Sequence, residues 1–174
     1  MAHRISKLLP ALACLWAVSG LHAVQATDIN LSGTVVASAC TVDTGTKEQT
    51  VTFEQARAVD YPNVGDTSEW QDFTLTLSAC PPSTTQVTAL FSGDADSVDT
   101  TKFANAQGSA SGMALQIMTR DHLSEISPAG RLVTPVDSTS RRAVFPLSAR
   151  MYTPTGAVTA GEFKATVQLT FTYQ

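Results

Sequence analysis

Few side chains in this sequence could carry out bond-breaking chemistry. Among its 174 residues there are three histidines, His3, His22 and His122. His3 and His22 lie in an N-terminal leader described below, so only His122 could serve an exported domain. It sits in the polar stretch TRDHLSE, without the Gly-x-Ser-x-Gly context of a serine nucleophile. We interpret His122 as a solvated loop residue and predict no catalytic residues.

Two other groups suggest ligand binding. Asp94, Asp96 and Asp99 in SGDADSVDT have oxygen spacing that could suit calcium. The segment lacks the central Gly and the closing Glu of an EF-hand loop, which favours ordinary turn carboxylates. Trp70 could stack on a sugar, but the alternating run DFTLTL that follows favours a core or sheet-edge aromatic. We predict no metal, no cofactor and no small-molecule substrate.

The first 26 residues have the organisation of a secretory signal peptide. Arg4 and Lys7 precede an apolar run over residues 8–21, and Ala26 ends a small-residue cleavage motif, with Ala23 as an alternative. The apolar run is shorter than the roughly 20 residues that a membrane-spanning helix needs. We therefore expect export to the periplasm and a mature chain that begins at Thr27.

Only Cys40 and Cys80 remain after the leader and its Cys14 are removed. A pair of cysteines in an exported chain, without CxxC spacing, predicts one structural disulfide. The leader also carries two basic residues and no acidic one, so the formal charge of −4 becomes more negative on its removal. The longest basic cluster is Arg141 and Arg142, which argues against nucleic acid or an anionic membrane as a partner.

Most of the remaining chain alternates apolar and polar residues, the period of a β-strand with one buried face. Strands are predicted at residues 29–40, 49–53, 72–80, 86–93, 113–120, 131–136, 141–152 and 163–174. Clusters of Gly, Pro, Asn, Asp and Ser separate them, and only residues 53–59 could form a short helical turn. Pro146 indicates a bulge or an edge within its strand. The pattern predicts a single all-β domain, an immunoglobulin-like sandwich.

Both ends of the predicted mature chain are strands without an evident partner. The C-terminal strand places one set of apolar residues on a single face: Phe163, Ala165, Val167, Leu169, Phe171 and Tyr173. The N-terminal segment has its own face: Thr27, Ile29, Leu31, Gly33 and Val35. An open sheet edge invites pairing with another strand. The beginning of one chain could therefore complete the end of the next.

These features together resemble the chaperone-usher pilins, and most of all the minor adaptor subunits of type 1 fimbriae. The resemblance rests on the leader, the two cysteines, the Gly33 segment, WQDFTLTLSACP, VTALFSGDADS, FPLSARMY and the terminal FTYQ. It implies an immunoglobulin-like domain with six strands of its own, missing the seventh. A periplasmic chaperone would fill the resulting groove along the C-terminal strand. At the outer-membrane usher, the N-terminal donor strand of another subunit would then replace the chaperone.

The resemblance also implies a domain organisation and a location. Residues 1–26 would be the signal peptide, residues 27–36 the donor strand, and residues 37–174 the pilin domain. Gly33 would lie where the groove tolerates no side chain. The subunit would be exported through the periplasm to an extracellular fimbria that supports adhesion. Major shaft pilin, carbohydrate-binding adhesin domain and secreted sandwich enzyme are the alternatives, the last disfavoured by the single mature histidine.

Overall fold

The computed structural model describes residues 32–34 and 38–174. The predicted signal peptide and the predicted donor residues Thr27, Ile29, Leu31 and Val35 lie outside these residues. Gly33 is described, as an exposed residue outside helices and strands. Within the described residues, no helix has both the length and the apolar character needed to cross a membrane.

The domain is built almost entirely from antiparallel β-strands, as predicted. Eight strands occur in the described residues, and six of them are five residues or longer. They are β1 (Thr41–Val42), β2 (Gln71–Ser78), β3 (Gln86–Ser92), β4 (Phe103–Ala104), β5 (Ala114–Thr119), β6 (Arg131–Pro135), β7 (Ala143–Tyr152) and β8 (Gln168–Tyr173). A one-turn helix, α1 (Thr44–Lys47), and a 3-10 turn (Ala58–Asp60) complete the regular structure of this region.

The strands form two sheets that pack face to face. One sheet has the order β1-β2-β7-β5-β4, and the other has the order β6-β3-β8. Every ladder in both sheets is antiparallel. Inward-facing side chains from both sheets form one core, whose most buried large members are Leu75, Leu77, Val87, Phe91, Phe103, Phe145 and Leu147. This arrangement confirms the predicted immunoglobulin-like sandwich.

The predicted disulfide joins Cys40 and Cys80. It lies beside the short ladder in which Thr41 pairs with Ser78, so it fixes the start of β1 to the end of β2. Both cysteines are buried in the main core. The bond closes a chain segment with a sequence separation of 40.

Two local predictions were wrong. Residues 49–53 do not pair as a strand, although Val51 and Phe53 are half-buried and Thr52 is exposed, which preserves the alternation. Alternation shows that one face is buried, but it does not supply a neighbour with free backbone groups. The helical turn predicted at residues 53–59 is limited to the 3-10 turn at Ala58–Asp60, and the only α-helix in the described residues is α1.

The C-terminal strand is shorter than predicted because its neighbour ends. Ser92 pairs with Gln168, and then Gly93 turns away from the sheet, leaving residues 163–167 without a ladder partner. A Cβ at Gly93 would lie only 2.9 Å from Phe103 and 3.0 Å from the carbonyl oxygen of Thr166. The close packing at this turn therefore favours glycine.

Pro146 occupies an edge-like position and not a bulge. The ladder between β2 and β7 is continuous through the Thr74–Pro146 pair. On its other side, the Pro146 carbonyl accepts a hydrogen bond from the Arg120 N–H at 3.1 Å, just past the end of β5 at Thr119. The backbone N and O of one residue point to the same side of an antiparallel strand. The Pro146 nitrogen, which carries no hydrogen, therefore faces the position just past the end of β5, where the ladder between β5 and β7 has stopped.

A buried cation stabilises the loop before β4. The Lys102 Nζ lies 2.7 Å from Glu125 Oε1, 3.2 Å from Asp99 Oδ2 and 4.8 Å from the centre of the Tyr152 ring. Burial alone would lower the pKa of Lys102, but hydrogen bonds and charge from Glu125 and Asp99 outweigh it and raise the pKa. The side-chain hydrogen bond from Thr101 is the main cause of a lowered pKa at Asp99.

We expect the substitution Asp99→Asn to lower the free energy of unfolding at pH 7 by about 1 kcal/mol, the net contribution of a typical hydrogen bond, because the Asp99 side chain is partly exposed. Because the Asp99 pKa is lowered in the folded state, its stabilisation exists above the unfolded pKa of about 3.9 and disappears as the pH falls through the folded value. In urea unfolding, the difference in unfolding free energy between the wild type and Asp99→Asn should therefore be smaller at pH 3 than at pH 7.

The matched control is Asp94→Asn. Asp94 is an exposed residue of the same loop, and its carboxylate makes no hydrogen bond or ion pair with other described residues. This variant should unfold like the wild type at both pH values. If Asp99→Asn lowered the unfolding free energy equally at pH 7 and pH 3, the charge of the Asp99 carboxylate would contribute nothing to stability.

Candidate strand-binding groove

One edge of strand β8 has no partner among the described residues. β8 pairs with β3 on one side, from Val87–Tyr173 to Ser92–Gln168, and the opposite side borders a groove. The predicted inward-facing residues of the C-terminal segment, Phe163, Ala165, Val167, Leu169, Phe171 and Tyr173, are all half-buried and pack against the core. Their neighbours in sequence are exposed. The core is thus open to solvent along this side.

The groove contains a large cleft of about 1030 Å³. Residues 46–51 with Val42 and Phe53 form its first edge, and residues 162–169 form its second edge. Its floor consists of apolar side chains from both sheets: Phe73, Leu75, Phe91, Leu115, Ile117 and Ala149. Phe171 packs against Phe145, with ring centres 6.0 Å apart, and like Tyr173 lies beyond the cleft. The cleft therefore offers a long apolar surface beside strand-edge groups that make no hydrogen bond to other described residues.

A small cleft of about 550 Å³ continues the groove beyond the start of the C-terminal segment. Its walls include Tyr61, Met113 and Met151, which form a separate buried cluster. Phe53 and Phe163 line both clefts. Their rings meet edge to face, with centres 5.8 Å apart and planes at 81°. The two rings therefore lie where the clefts adjoin.

The first edge of the groove is anchored at its start, by β1 and α1, and weakly held beyond it. The buried Thr46 in α1 accepts a hydrogen bond from the Thr76 N–H at 2.8 Å and donates one to the Thr76 carbonyl at 3.2 Å. Beyond α1, residues 49–56 make no backbone hydrogen bond with other described residues. Side-chain packing alone holds Val51 and Phe53 in place. In the described part of the chain, this edge, like β8, has backbone donors and acceptors without hydrogen-bond partners.

The second edge is fixed by a polar loop. The Lys164 N–H donates to Asn105 Oδ1 at 2.6 Å, and the Lys164 carbonyl accepts from the Gln107 N–H at 3.1 Å. The Glu162 carbonyl accepts from the Ala110 N–H at 3.0 Å. A Cβ at Gly161 would lie 2.4 Å from the Ala110 nitrogen, so the two segments touch backbone to backbone. Phe163 is thus held rigidly between bonded residues.

Two phenols lie at opposite ends of the groove. Burial raises the pKa of Tyr173, and burial together with the charge of Asp60 raises the pKa of Tyr61. Both rings therefore remain neutral at physiological pH. The charged residues that line the large cleft, Lys47, Glu48, Glu162 and Lys164, are exposed at its rim. An apolar floor with a charged rim suits an extended peptide whose alternate side chains are apolar.

Comparison with protein families identifies this architecture. The family model described as "Fimbrial protein" matches residues 29–174, most of the chain. The chain belongs to the fimbrial protein family. It is accordingly a structural subunit of a surface fimbria and not an enzyme, and other fimbrial subunits are its partners.

Individual fimbrial proteins support this assignment. Protein FimG of Escherichia coli strain K12 is 35% identical over 152 residues, which cover 86% of this chain and 87% of FimG. The S-fimbrial adhesin protein SfaS of Escherichia coli O6:K15:H31 is 33% identical over 147 residues, 84% of this chain and 85% of SfaS. The crystal structure of the P pilus rod subunit PapA superposes with a TM-score of 0.63 at 18% identity, covering 79% of this chain and all of PapA. The PapA match shows a shared fold.

The residues that the sequence suggested for catalysis or ligand binding contact other groups of this fimbrial subunit. The His122 ring stacks on Trp70 with centres 4.2 Å apart, and the Arg150 guanidinium lies 4.1 Å from the Trp70 ring centre. Trp70 is therefore already stacked on protein groups. Asp96 accepts hydrogen bonds from the backbone of Val98 and Asp99, as a turn carboxylate does. No group of three His, Cys, Asp or Glu side chains in residues 32–34 and 38–174 could hold a metal ion.

Sequence reasoning missed much of the groove. It identified the second edge, because that edge alternates without interruption, but it did not identify the floor or the small cleft. Strand alternation distinguishes inward from outward side chains, but it does not show which inward side chains lie beneath an opening between the sheets. The alternation of apolar and polar residues at 49–53 was the one signal in the sequence that pointed to the first edge.

Proposed function

We propose that this subunit is assembled into a fimbria by donor-strand exchange, with the groove as the acceptor site. The observation that carries the proposal is the edge of β8 that has no partner within residues 32–34 and 38–174, beside an apolar cleft of about 1030 Å³. An added strand would satisfy the backbone groups on this edge of β8 and cover the half-buried apolar face of the C-terminal segment. The N-terminal segment of another subunit, equivalent to residues 27–36 here, would supply that strand.

The lengths of donor and acceptor agree. At about 3.3 Å per residue, residues 27–36 and residues 163–173 each extend over roughly 30 to 35 Å. Alternate donor residues, Thr27, Ile29, Leu31, Gly33 and Val35, would face the floor. The acceptor residues would be Phe163, Ala165, Val167, Leu169, Phe171 and Tyr173.

The position of Ser38 favours a donor from a different copy. The Thr84 hydroxyl donates to the Ser38 carbonyl at 2.9 Å, and the neighbouring Thr85 N–H donates to the Gln174 carbonyl at 2.6 Å. Ser38 thus lies at the C-terminal end of β8. A preceding segment that entered its own groove from this point would run parallel to β8, whereas every ladder among the described strands is antiparallel. An antiparallel donor must come from another subunit.

From the family membership we also propose how the subunit is assembled and which position it takes in the fimbria. A periplasmic chaperone would occupy the groove during export, and the outer-membrane usher would direct the exchange. A position as a minor adaptor, and not a major shaft pilin, follows from the sequence motifs and is consistent with the 35% identity to FimG, and the named adhesin SfaS supports a role in adhesion. Residues 1–26 would act as signal peptide, residues 27–36 as donor strand and residues 37–174 as acceptor domain.

The direct test is thermal unfolding of the mature subunit with and without a synthetic peptide of residues 27–36, TDINLSGTVV. A ligand that binds only the folded state stabilises it by about 2.7 kcal/mol at 100 times its Kd. For a domain of this size that corresponds to an increase in Tm of roughly 6 to 10 °C. Circular dichroism at 218 nm follows the transition.

A peptide with the same composition in scrambled order is the control, because it loses the alternation. An unchanged Tm with both peptides would contradict the proposal. Deletion of residues 27–36 provides a second test in assembly. The truncated subunit should still accept a donor but should not complete the groove of a neighbour, so continued polymerisation would also contradict the proposal.

A further inference from the structure

We propose that Thr46 is a positioning residue for donor binding, because its hydroxyl holds the first edge of the groove in place. The inference rests on the proposed function and deepens it, since it concerns the same acceptor site. Thr46 is buried, lines the large cleft and belongs to the short helix α1. Its hydroxyl accepts a hydrogen bond from the Thr76 N–H at 2.8 Å and donates one to the Thr76 carbonyl at 3.2 Å. One side chain thus contacts both backbone groups of a residue in β2.

The Thr46 hydroxyl occupies the place that a backbone carbonyl would take if the ladder between β1 and β2 continued. The last pair of that ladder is Val42 with Leu77. Asp43 is therefore next in register with Thr76, and its N–H donates to the Thr76 carbonyl at 3.1 Å. A regular antiparallel pair exchanges two bonds, so the Asp43 carbonyl would accept from the Thr76 N–H. The Thr46 hydroxyl accepts from that N–H instead.

This exchange of partners allows the chain to leave β2 and form the first edge. The Asp43 carbonyl accepts from the N–H groups of Thr46 and Lys47, at 2.9 and 3.2 Å, and these bonds form α1. The residues that follow α1 line the large cleft. Without the hydroxyl, the Thr76 N–H would compete for the Asp43 carbonyl, and that bond would form at the expense of α1. The Thr46 hydroxyl therefore keeps α1 formed and the first edge beside the groove.

The first edge depends on this anchor because the rest of it is weakly bonded. Residues 49–56 make no backbone hydrogen bond with other described residues, and Val51 and Phe53 are held by packing against the core. Segments with few backbone hydrogen bonds open at low free-energy cost. If α1 were released, ordering the first edge would become part of the cost of binding a donor. Loss of the Thr46 hydroxyl therefore lowers donor affinity.

The experiment measures the Kd of the fluorescently labelled peptide TDINLSGTVV for the mature subunit by anisotropy. Thr46→Val keeps the shape of the side chain but removes both hydrogen bonds, and one hydrogen bond changes an equilibrium roughly two- to tenfold. We expect Thr46→Val to raise the Kd about tenfold. Thr46→Ser retains the hydroxyl and should keep the Kd close to the wild-type value. Thr46→Ala removes the same hydroxyl and replaces Thr46→Val if that variant does not fold.

Thr50→Val is the matched control. Thr50 lies on the same edge and lines the same cleft, but it is exposed, and its side chain makes no hydrogen bond with other described residues. This variant should bind the peptide like the wild type. A purely structural anchor would lower the urea midpoint of the free subunit without changing the Kd.

Three results would overturn the positioning role while leaving the acceptor site intact. They are an unchanged Kd for the variant without the hydroxyl, an equal increase for Thr46→Ser, and an equal increase for Thr50→Val. Failure of the peptide to bind the wild type would instead reject the proposed function.

Discussion

The double variant Cys40→Ser/Cys80→Ser is expected to lose about 4 kcal/mol of unfolding free energy relative to the oxidised subunit. The estimate comes from the loop entropy of a bond that closes a sequence separation of 40. A domain of this size has a total stability of only about 5 to 15 kcal/mol. Since the groove leaves part of the core exposed, the starting stability without a donor should be at the lower end of that range.

The location of the disulfide adds a second consequence. β1 contains only two residues, and its ladder with β2 begins beside the bond. Without the disulfide, the first edge of the groove would be attached to β2 mainly through β1 and the Thr46–Thr76 hydrogen bonds. We therefore expect the double variant to bind a donor peptide more weakly, as well as to unfold more easily.

Urea unfolding of the wild type, the reduced wild type and the double variant measures the first effect. The reduced wild type and the double variant, both prepared as residues 27–174, should agree, because both lack the bond and residues 27–174 contain no other cysteine. Excess donor peptide should restore part of the lost stability, since it binds only the folded state. Equal urea midpoints for the oxidised wild type and the double variant would show that the bond contributes nothing.

The sequence predicted the strands better than the regions where strands have no partner. β2, β3, β5, β6 and β7 each lie within or close to a predicted alternating segment. The segment at residues 49–53 and the start of the C-terminal segment alternate equally well, yet neither forms a ladder. Alternation reports burial of one face, whereas a ladder also needs a neighbouring backbone within hydrogen-bonding distance. These are the segments that border the groove.

The sequence predicted the second edge of the groove but not its floor. The uninterrupted alternation ending at Tyr173 indicated the second edge. The floor residues such as Leu115 and Ile117 come from β5, far away in sequence, and their role depends on how the two sheets are aligned. The pairing of Phe53 with Phe163 likewise depends on two irregular segments that meet only in the folded chain. Local sequence patterns do not contain that information.

A charged residue on the groove face of β8 should weaken donor binding much more than it lowers the stability of the free subunit. Leu169 lines the large cleft and is half-buried, so a carboxylate there remains partly hydrated in the free domain. A bound donor would cover it, and an unpaired buried charge costs roughly 3 to 5 kcal/mol. We expect Leu169→Glu to weaken donor binding at least 100-fold, by that estimate, with a much smaller change in the stability of the free subunit.

Thr170→Glu is the matched control, because Thr170 is the next residue of β8 and is exposed on the opposite face. Fluorescence titration with the labelled donor peptide should give near wild-type affinity for Thr170→Glu at all pH values. Burial disfavours the charged form of a carboxyl group, so donor binding raises the pKa of the introduced Glu. Affinity of Leu169→Glu should therefore increase as the pH falls toward about 4, where the free carboxyl group protonates. Equal affinities of the two variants at pH 7 would place the donor on another surface, because only a strand that covers the groove face of β8 can distinguish two neighbouring residues in this way.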